Sequence, residues 1–161
     1  MKKLSLIAIL ITSIVGIYCL PDLQRYPNAK FEQITKEYTQ ADSIDFLYTK
    51  NYRIARLHYE DSIQYFALST DYAVIKGYSG ITTLGIIFDS AYEVAKVSII
   101  ASEDTRSFVN KLKTRRFLDQ FIGYKKNDKM KIVTGATISS KAVIKSVEMT
   151  AAKVLPILEL L

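Results

Sequence analysis

Val133-Thr134-Gly135-Ala136-Thr137-Ile138-Ser139-Ser140 is approached by an apolar pair, Ile132-Val133, and left through Lys141-Ala142-Val143-Ile144-Lys145. This order predicts a short strand, a tight turn and a helix running to about Leu155. Gly135 lets backbone approach a ligand closely. The first amides of a helix have no internal acceptor and point at whatever lies beyond its start. Thr134, Thr137, Ser139 and Ser140 add hydroxyls, so the stretch offers an anion, above all a phosphate, both kinds of donor. The plainer reading is a strand–turn–helix junction with Ser139 as its N-cap.

Working outward, Val143, Val147, Ala151, Val154 and Leu158 recur at helical spacing and form an apolar stripe. Pro156 is placed to kink or end that helix. Upstream, Thr105 to Phe121 has helical spacing, with Phe108, Leu112, Phe117 and Phe121 on its apolar side. Before it the texture is that of strands. Tyr52–Tyr59 alternates, and Ile63–Leu68, Tyr72–Lys76, Ile81–Phe88 and Val94–Ala101 are further candidates, with turns at Gly77, Gly80 and Asp89-Ser90. Phe31, Ile34, Tyr38 and Ala41 mark a helix within 28–42, expected to stand between the N-terminal segment and the domain. The fold class is α+β, an antiparallel sheet with packed helices, preceded by an N-terminal transmembrane or signal helix.

Leu4 to Leu20 is free of charge and follows Met1-Lys2-Lys3. A membrane span takes about 20 apolar residues, with ~17 as the lower end. The segment has no Ala-x-Ala cleavage site and is followed by Pro21-Asp22, which favours an uncleaved anchor over a cleaved signal. Either way the basic start stays cytoplasmic and the rest is exported, which implies the cell (inner) membrane, single-pass, with the domain on the extracytoplasmic or periplasmic side. The expected organisation is an anchor or signal at 1–20, a linker with a helix at 21–45 and an extracytoplasmic domain at 46–161. Cys19 lies in the apolar segment and cannot form an internal disulfide, being the only cysteine. It is either an ordinary anchor residue or a lipidation site.

The formal net charge of +6 comes with two basic clusters, Lys111-Lys113-Arg115-Arg116 and Lys125-Lys126-Lys129-Lys131. They read as a solvated face, or as local attraction for a phosphate or an anionic bilayer. No nucleic-acid motif accompanies them, so no nucleic-acid partner is expected. His58 is the lone histidine, a poor basis for a metal site, and sits in an alternating strand as a surface or packing residue. Glu60-Asp61 and Glu103-Asp104 are adjacent pairs that suit loop tips better than paired acid–base chemistry. Tyr78 and Tyr124 are the tyrosines that could stack on a flat ring.

Thr134-Gly135-Ala136-Thr137-Ile138-Ser139-Ser140 resembles the flavinylation motif of the FMN-binding domain family, of the type found in the G subunit of the Rnf complex and the C subunit of the Na⁺-pumping NADH:quinone reductase. Asp104-Thr105 resembles that family's Glu-Thr-Pro segment, with Arg106 where Pro is usual. Phe117-Leu118-Asp119-Gln120-Phe121-Ile122-Gly123 resembles a second family segment, and Gly77-Tyr78-Ser79-Gly80 with Ile81–Phe88 its Gly-turn and first strand. The resemblance covers roughly residues 72–155. One position departs from the pattern: Lys131 stands six residues before Thr137, where the family has Asp.

The resemblance implies FMN as cofactor, joined to Thr137 through a phosphoester. Thr134, Gly135, Ala136, Ser139 and Ser140 would surround the phosphate, and Asp104 and Thr105 would approach the ring or ribityl chain. It implies a membrane-anchored extracytoplasmic flavoprotein that transfers electrons in a respiratory or redox chain. Such a protein acts as an electron-transfer subunit, not a free-standing enzyme. Its partners would be the membrane, other subunits of a membrane redox complex and a flavin transferase during maturation. The alternative is a non-covalent flavin- or ligand-sensing or docking module of the same fold.

Overall fold

The structure, a computed structural model, describes residues 29–49, 51–113 and 115–161, without the side chain of Arg115. The expected anchor or signal at 1–20, Cys19 included, lies outside the described residues. Among the described residues no helix is long and apolar enough to cross a membrane.

Among the described residues, five strands form one antiparallel meander in chain order: β1 (Ser43–Tyr48), β2 (Arg53–Tyr59), β3 (Ser62–Leu68), β4 (Thr82–Phe88) and β5 (Val94–Ser102). Alternation along the strands sends residues to two faces, and both faces are covered. Ile54, Tyr65, Ala67, Leu84, Ile86 and Phe88 belong to the larger core. Ala55, Leu57, Phe66 and Leu68 belong to the smaller one.

The smaller core is closed by α1 (Ala29–Thr39). Phe31 from this helix is buried against Phe66 and meets Phe46 and Tyr48 edge-on. Thr35 and Thr39 bond back to the carbonyls four residues earlier, so their hydroxyls are satisfied inside the helix. The expected linker 21–45 thus holds a helix packed on the sheet and the first half of β1. The packed unit includes the chain from Ala29, upstream of the expected start at 46.

The larger core is closed by α2 (Arg106–Leu112), α3 (Arg115–Leu118), a 3₁₀ turn at Asp119–Phe121 and the long α4 (Thr137–Leu158). The expected stripe of α4 is buried throughout: Val143, Val147, Ala151, Val154 and Leu158 are each no more than 1% exposed. Pro156 lies inside the final turns and the helix continues to Leu158. The single helix expected over Thr105–Phe121 is instead α2, α3 and the 3₁₀ turn. Leu112, Phe117 and Phe121 are buried as expected, and Phe117 meets Phe121 edge-on.

Two expected strands do not form. Tyr72–Lys76 follows a 3₁₀ turn at Ser69–Asp71, and only Lys76 pairs, through an isolated bridge to Ile81. Tyr72 and Ala73 are buried while Val74 faces solvent, and the Tyr72 hydroxyl donates to the Arg53 carbonyl at 2.7 Å. Ile132-Val133 belongs to no strand. It is held by side chains, with the Val133 amide donating to Ser140 Oγ at 3.1 Å.

Phe31→Ala is expected to cost about 3–5 kcal/mol, the usual range for emptying a fully buried aromatic site. Urea unfolding of the full chain reads this as a lowered midpoint. An unchanged midpoint would show that α1 contributes nothing to the folded unit.

Candidate functional site

Asp104 sits between the end of β5 and the start of α2 and is 7% exposed. Its carboxylate is a hub for three chain segments. Oδ1 accepts from the Ser79 amide at 2.8 Å, from Ser79 Oγ at 3.2 Å and from the Thr105 amide at 2.7 Å. Oδ2 accepts from the Tyr78 amide at 3.1 Å and from Ser139 Oγ at 2.6 Å. Burial pushes this carboxyl up, but the bonds from Ser139, Ser79, Thr105 and Tyr78 outweigh it and hold it down at about 2.

The Gly77–Gly80 loop closes on itself through the Gly77 amide and the Gly80 carbonyl at 2.8 Å. A Cβ at Gly77 would overlap the Asp104 carboxylate, so glycine there is a condition for the clamp. Ser79 Oγ also lies 3.0 Å from Thr105 Oγ1.

The clamp fixes the beginning of α4. Ser139, the third residue of that helix, is buried and turned inward to Asp104. Ser140 is also buried; its hydroxyl donates to the Ala136 carbonyl at 2.7 Å and accepts from Val133. Neither hydroxyl faces outward, and Ser139 does not cap the helix: the residue before its first turn is Ala136, with no side-chain cap. Ser139 and Ser140 hold the helix start and present no hydroxyl to a phosphate. Asp104 is a clamp inside the protein, engaged on both oxygens, and offers no free oxygen toward a flavin ring or ribityl chain.

Thr137, the first residue of α4, is exposed, as is Thr134 in the preceding turn. Gly135 adopts φ +73°, a left-handed conformation that a β-carbon disfavours. Lys111 Nζ, reaching over from α2, donates to the Gly135 carbonyl at 3.3 Å. The amides of Thr137, Ile138 and Ser139 have no backbone acceptor among the described residues, as at any helix start.

Beside Thr137 is a hollow of about 190 Å³, walled by Tyr78, Phe108, Ile138 and the chain from Gly135 to Ser139. Tyr78 stands edge-on to Phe108 with ring centroids 5.1 Å apart. Tyr78 and Ile138 are both more than half exposed. The arrangement combines a nucleophilic hydroxyl, free helix-start amides, a nearby ammonium and an aromatic wall. Tyr124 lies away from it, lining a separate groove with Tyr92 and Leu155. The aromatic wall was only half legible in sequence. In sequence Tyr78 reads as a ring-stacking candidate, Phe108 as part of a helix's apolar side and Lys111 as one of a basic cluster.

His58 pairs with Asp45 at 2.8 Å on the β1–β2 surface. No group of His, Cys, Asp or Glu among the described residues could hold a metal ion.

The donor set at Thr137 suits a phosphate, and the wall beside it suits a flat apolar ring. Residues 77–152 match the family model of the FMN-binding domain. The match runs from the Gly77 loop through most of α4 and includes every candidate residue. This match supports FMN as the cofactor. No curated protein matches the chain.

Asp104→Asn is expected to destabilise the protein at neutral pH, because the amide presents a donor to a ring of donors. The native carboxyl titrates at about 2, below its ordinary 3.8. Its contribution is therefore complete above the ordinary value and disappears as pH falls through about 2. The stability gap between wild type and variant, read from denaturant midpoints, should narrow between pH 5 and pH 2. A gap that stays constant over that window would refute the clamp's charge dependence.

Proposed function

We propose that Thr137 carries FMN covalently, through a phosphoester at Oγ1, and that the domain works as an electron carrier. The observation that supports this most is the division of labour at the start of α4. Ser139 and Ser140 are committed to the interior, while Thr137 stands exposed in the aromatic hollow.

Attachment forms a bond between Thr137 Oγ1 and the flavin's phosphorus. A P–O bond to a leaving group on an activated flavin donor breaks, the leaving group keeps the electron pair, and the hydroxyl proton passes to a base of the transferase. The amides of Ile138 and Ser139 and the N-terminal dipole of α4 would then face the phosphate. Lys111 would add positive charge through its place beside Gly135. Tyr78, Phe108 and Ile138 would give the ring an apolar wall and exclude water from one side. FMN, when bound, supplies the redox chemistry; the protein supplies position and electrostatics.

The membrane setting rests on the charge-free segment Leu4–Leu20 behind Lys2 and Lys3. We infer single-pass anchoring in the cell membrane with the domain outside the cytoplasm. The domain would serve a membrane redox complex of the kind that contains the Rnf G and NADH:quinone reductase C subunits.

A second reading has two departures from the family pattern in its favour. Lys131 replaces the family's Asp, and Arg106 its Pro. Under this reading the domain holds flavin non-covalently as a sensing or docking module. Asp128 is no ready substitute for the missing carboxylate, since it accepts from the Lys125 amide at 2.7 Å within its own turn.

Thr137→Ala is expected to abolish covalent flavin while leaving the fold intact, since one exposed hydroxyl contributes little to stability. Intact mass after co-expression with a flavin transferase measures this: the wild type gains one FMN less water and the variant does not. Covalent flavin on the variant would move the assignment to another hydroxyl. Flavin released from the wild type on denaturation would favour the second reading. Lys131→Asp should raise covalent occupancy or leave it unchanged, read as flavin fluorescence of the denatured band. A clear fall would show that a carboxylate has no role at this place.

A further inference from the structure

Before the Gly135 turn, the chain from Asp128 to Thr134 lines a larger cleft, of about 910 Å³. It falls within the usual range for small-molecule sites, about 300–1,000 Å³. Its walls divide by chemistry. Phe117, Met130, Ile132 and Val133 supply apolar surface, and Ile132 is 45% exposed. Arg116, Lys129 and Lys131 supply positive charge and are all exposed.

None of these three cations is in a salt bridge among the described residues; the ion pairs there lie elsewhere, at Arg53–Asp71, His58–Asp45 and Lys145–Glu148. The one carboxylate in the lining, Asp128, is engaged by the Lys125 amide. The backbone under the charges is fixed. Gln120 accepts from the Lys131 amide at 2.7 Å and donates to its carbonyl at 3.3 Å, so Lys131 is held at the cleft by a two-point contact. The lining combines a cationic rim, an apolar floor and a single carboxylate, whose Oδ2 is tied to its own turn. That combination attracts an anion and gains by burying an apolar body with it.

We propose that this cleft is a second ligand site, separate from the Thr137 seat, for an amphipathic anion. A flat or chain-like apolar body lies on Phe117, Met130 and Val133, and a phosphate or carboxylate head lies among Arg116, Lys129 and Lys131. The same chemistry is offered by a soluble aromatic phosphate and by the head and first carbons of an anionic lipid. Lys111 and Thr134 border both this cleft and the Thr137 turn, but the head-binding cations Arg116, Lys129 and Lys131 do not line the hollow beside Thr137.

The test uses the full chain in zwitterionic nanodiscs, with calorimetric titration of three probes: AMP, which carries both features, adenosine, which lacks the charge, and inorganic phosphate, which lacks the body. AMP should bind at least about tenfold more tightly than either fragment. The double variant Lys129→Glu/Lys131→Glu should weaken AMP by about tenfold or more. The control Lys30→Glu/Lys36→Glu changes net charge equally from exposed positions on α1, across the sheet, and should leave AMP affinity unchanged. Thr137→Ala should also bind AMP normally, which separates failure of this site from failure of the flavin assignment. Adding phosphatidylglycerol to the nanodiscs identifies the source: displacement of AMP points to a lipid head, and undiminished AMP binding to a soluble ligand. Equal affinities for AMP and phosphate would overturn the proposal. So would equal loss in both charge-reversal variants, because the general positive field would then explain the binding.

Discussion

The buried carboxylate of Asp104 is the constraint on which the site rests. A charge out of water is tolerated only when donors replace its hydration. Here two backbone amides and a hydroxyl from the Gly77–Gly80 loop, the amide of Thr105 and the hydroxyl of Ser139 do so. The bonds come from segments far apart in the chain, so satisfying one carboxylate brings the loop before β4, the end of β5 and the start of α4 to one point. The position of Thr137 follows. Successive helix residues turn by about 100°, so residues two apart face nearly opposite ways. With Ser139 locked inward, Thr137 is driven outward.

The same lock sets the electrostatics. A negative charge close to the start of a 22-residue helix is stabilised by the helix dipole. Asp104 uses that stabilisation from beneath, through Ser139, without closing off the outer amides of the first turn. Lys111 ties α2 to the Gly135 carbonyl. An outside phosphate would thus meet amides, a helix start and an ammonium, with the carboxylate screened by the donors it has already engaged. The left-handed Gly135 is what allows the chain to turn under Lys111 and enter the helix at once.

Strand and helix periodicity carried most of the architecture, because both sheet faces and the inner face of α4 are buried and a buried face imposes its spacing on the sequence. The failures have local causes. Tyr72–Lys76 has strand composition, but Tyr72 and Ala73 are buried beside a 3₁₀ turn while Val74 is exposed, and composition alone does not distinguish such a plug from a strand. Thr105–Phe121 has one apolar period but breaks into three short elements, whose buried residues still fall on a common side. Phe31 made α1 look amphipathic without showing that its partner was the second face of the sheet. At the site, the Gly-Ala turn and Thr137 were legible as motif. The inward rotation of Ser139 and Ser140 was not, because it depends on where Asp104 sits in space, and the same residues in sequence look like free donors.

The size of the aromatic hollow bears on why a bond would be used at Thr137. Pockets that retain a drug-sized ligand by contact alone bury most of its surface, in volumes of about 300–1,000 Å³. The hollow beside Thr137 is about 190 Å³, open, and walled on its apolar side by Tyr78, Phe108 and Ile138. A flavin placed there keeps much of its ring accessible. That accessibility is useful for exchanging electrons with a partner, and it works against affinity, since less apolar area leaves water. Deepening the hollow would improve retention and hide the ring. On the proposed reading, a phosphoester at Thr137 removes the conflict: retention passes to one bond at the helix start, and the ring stays exposed where partners can approach it. The clamp at Asp104 then has a second use, because a tethered ring is positioned only as well as the residue that carries it.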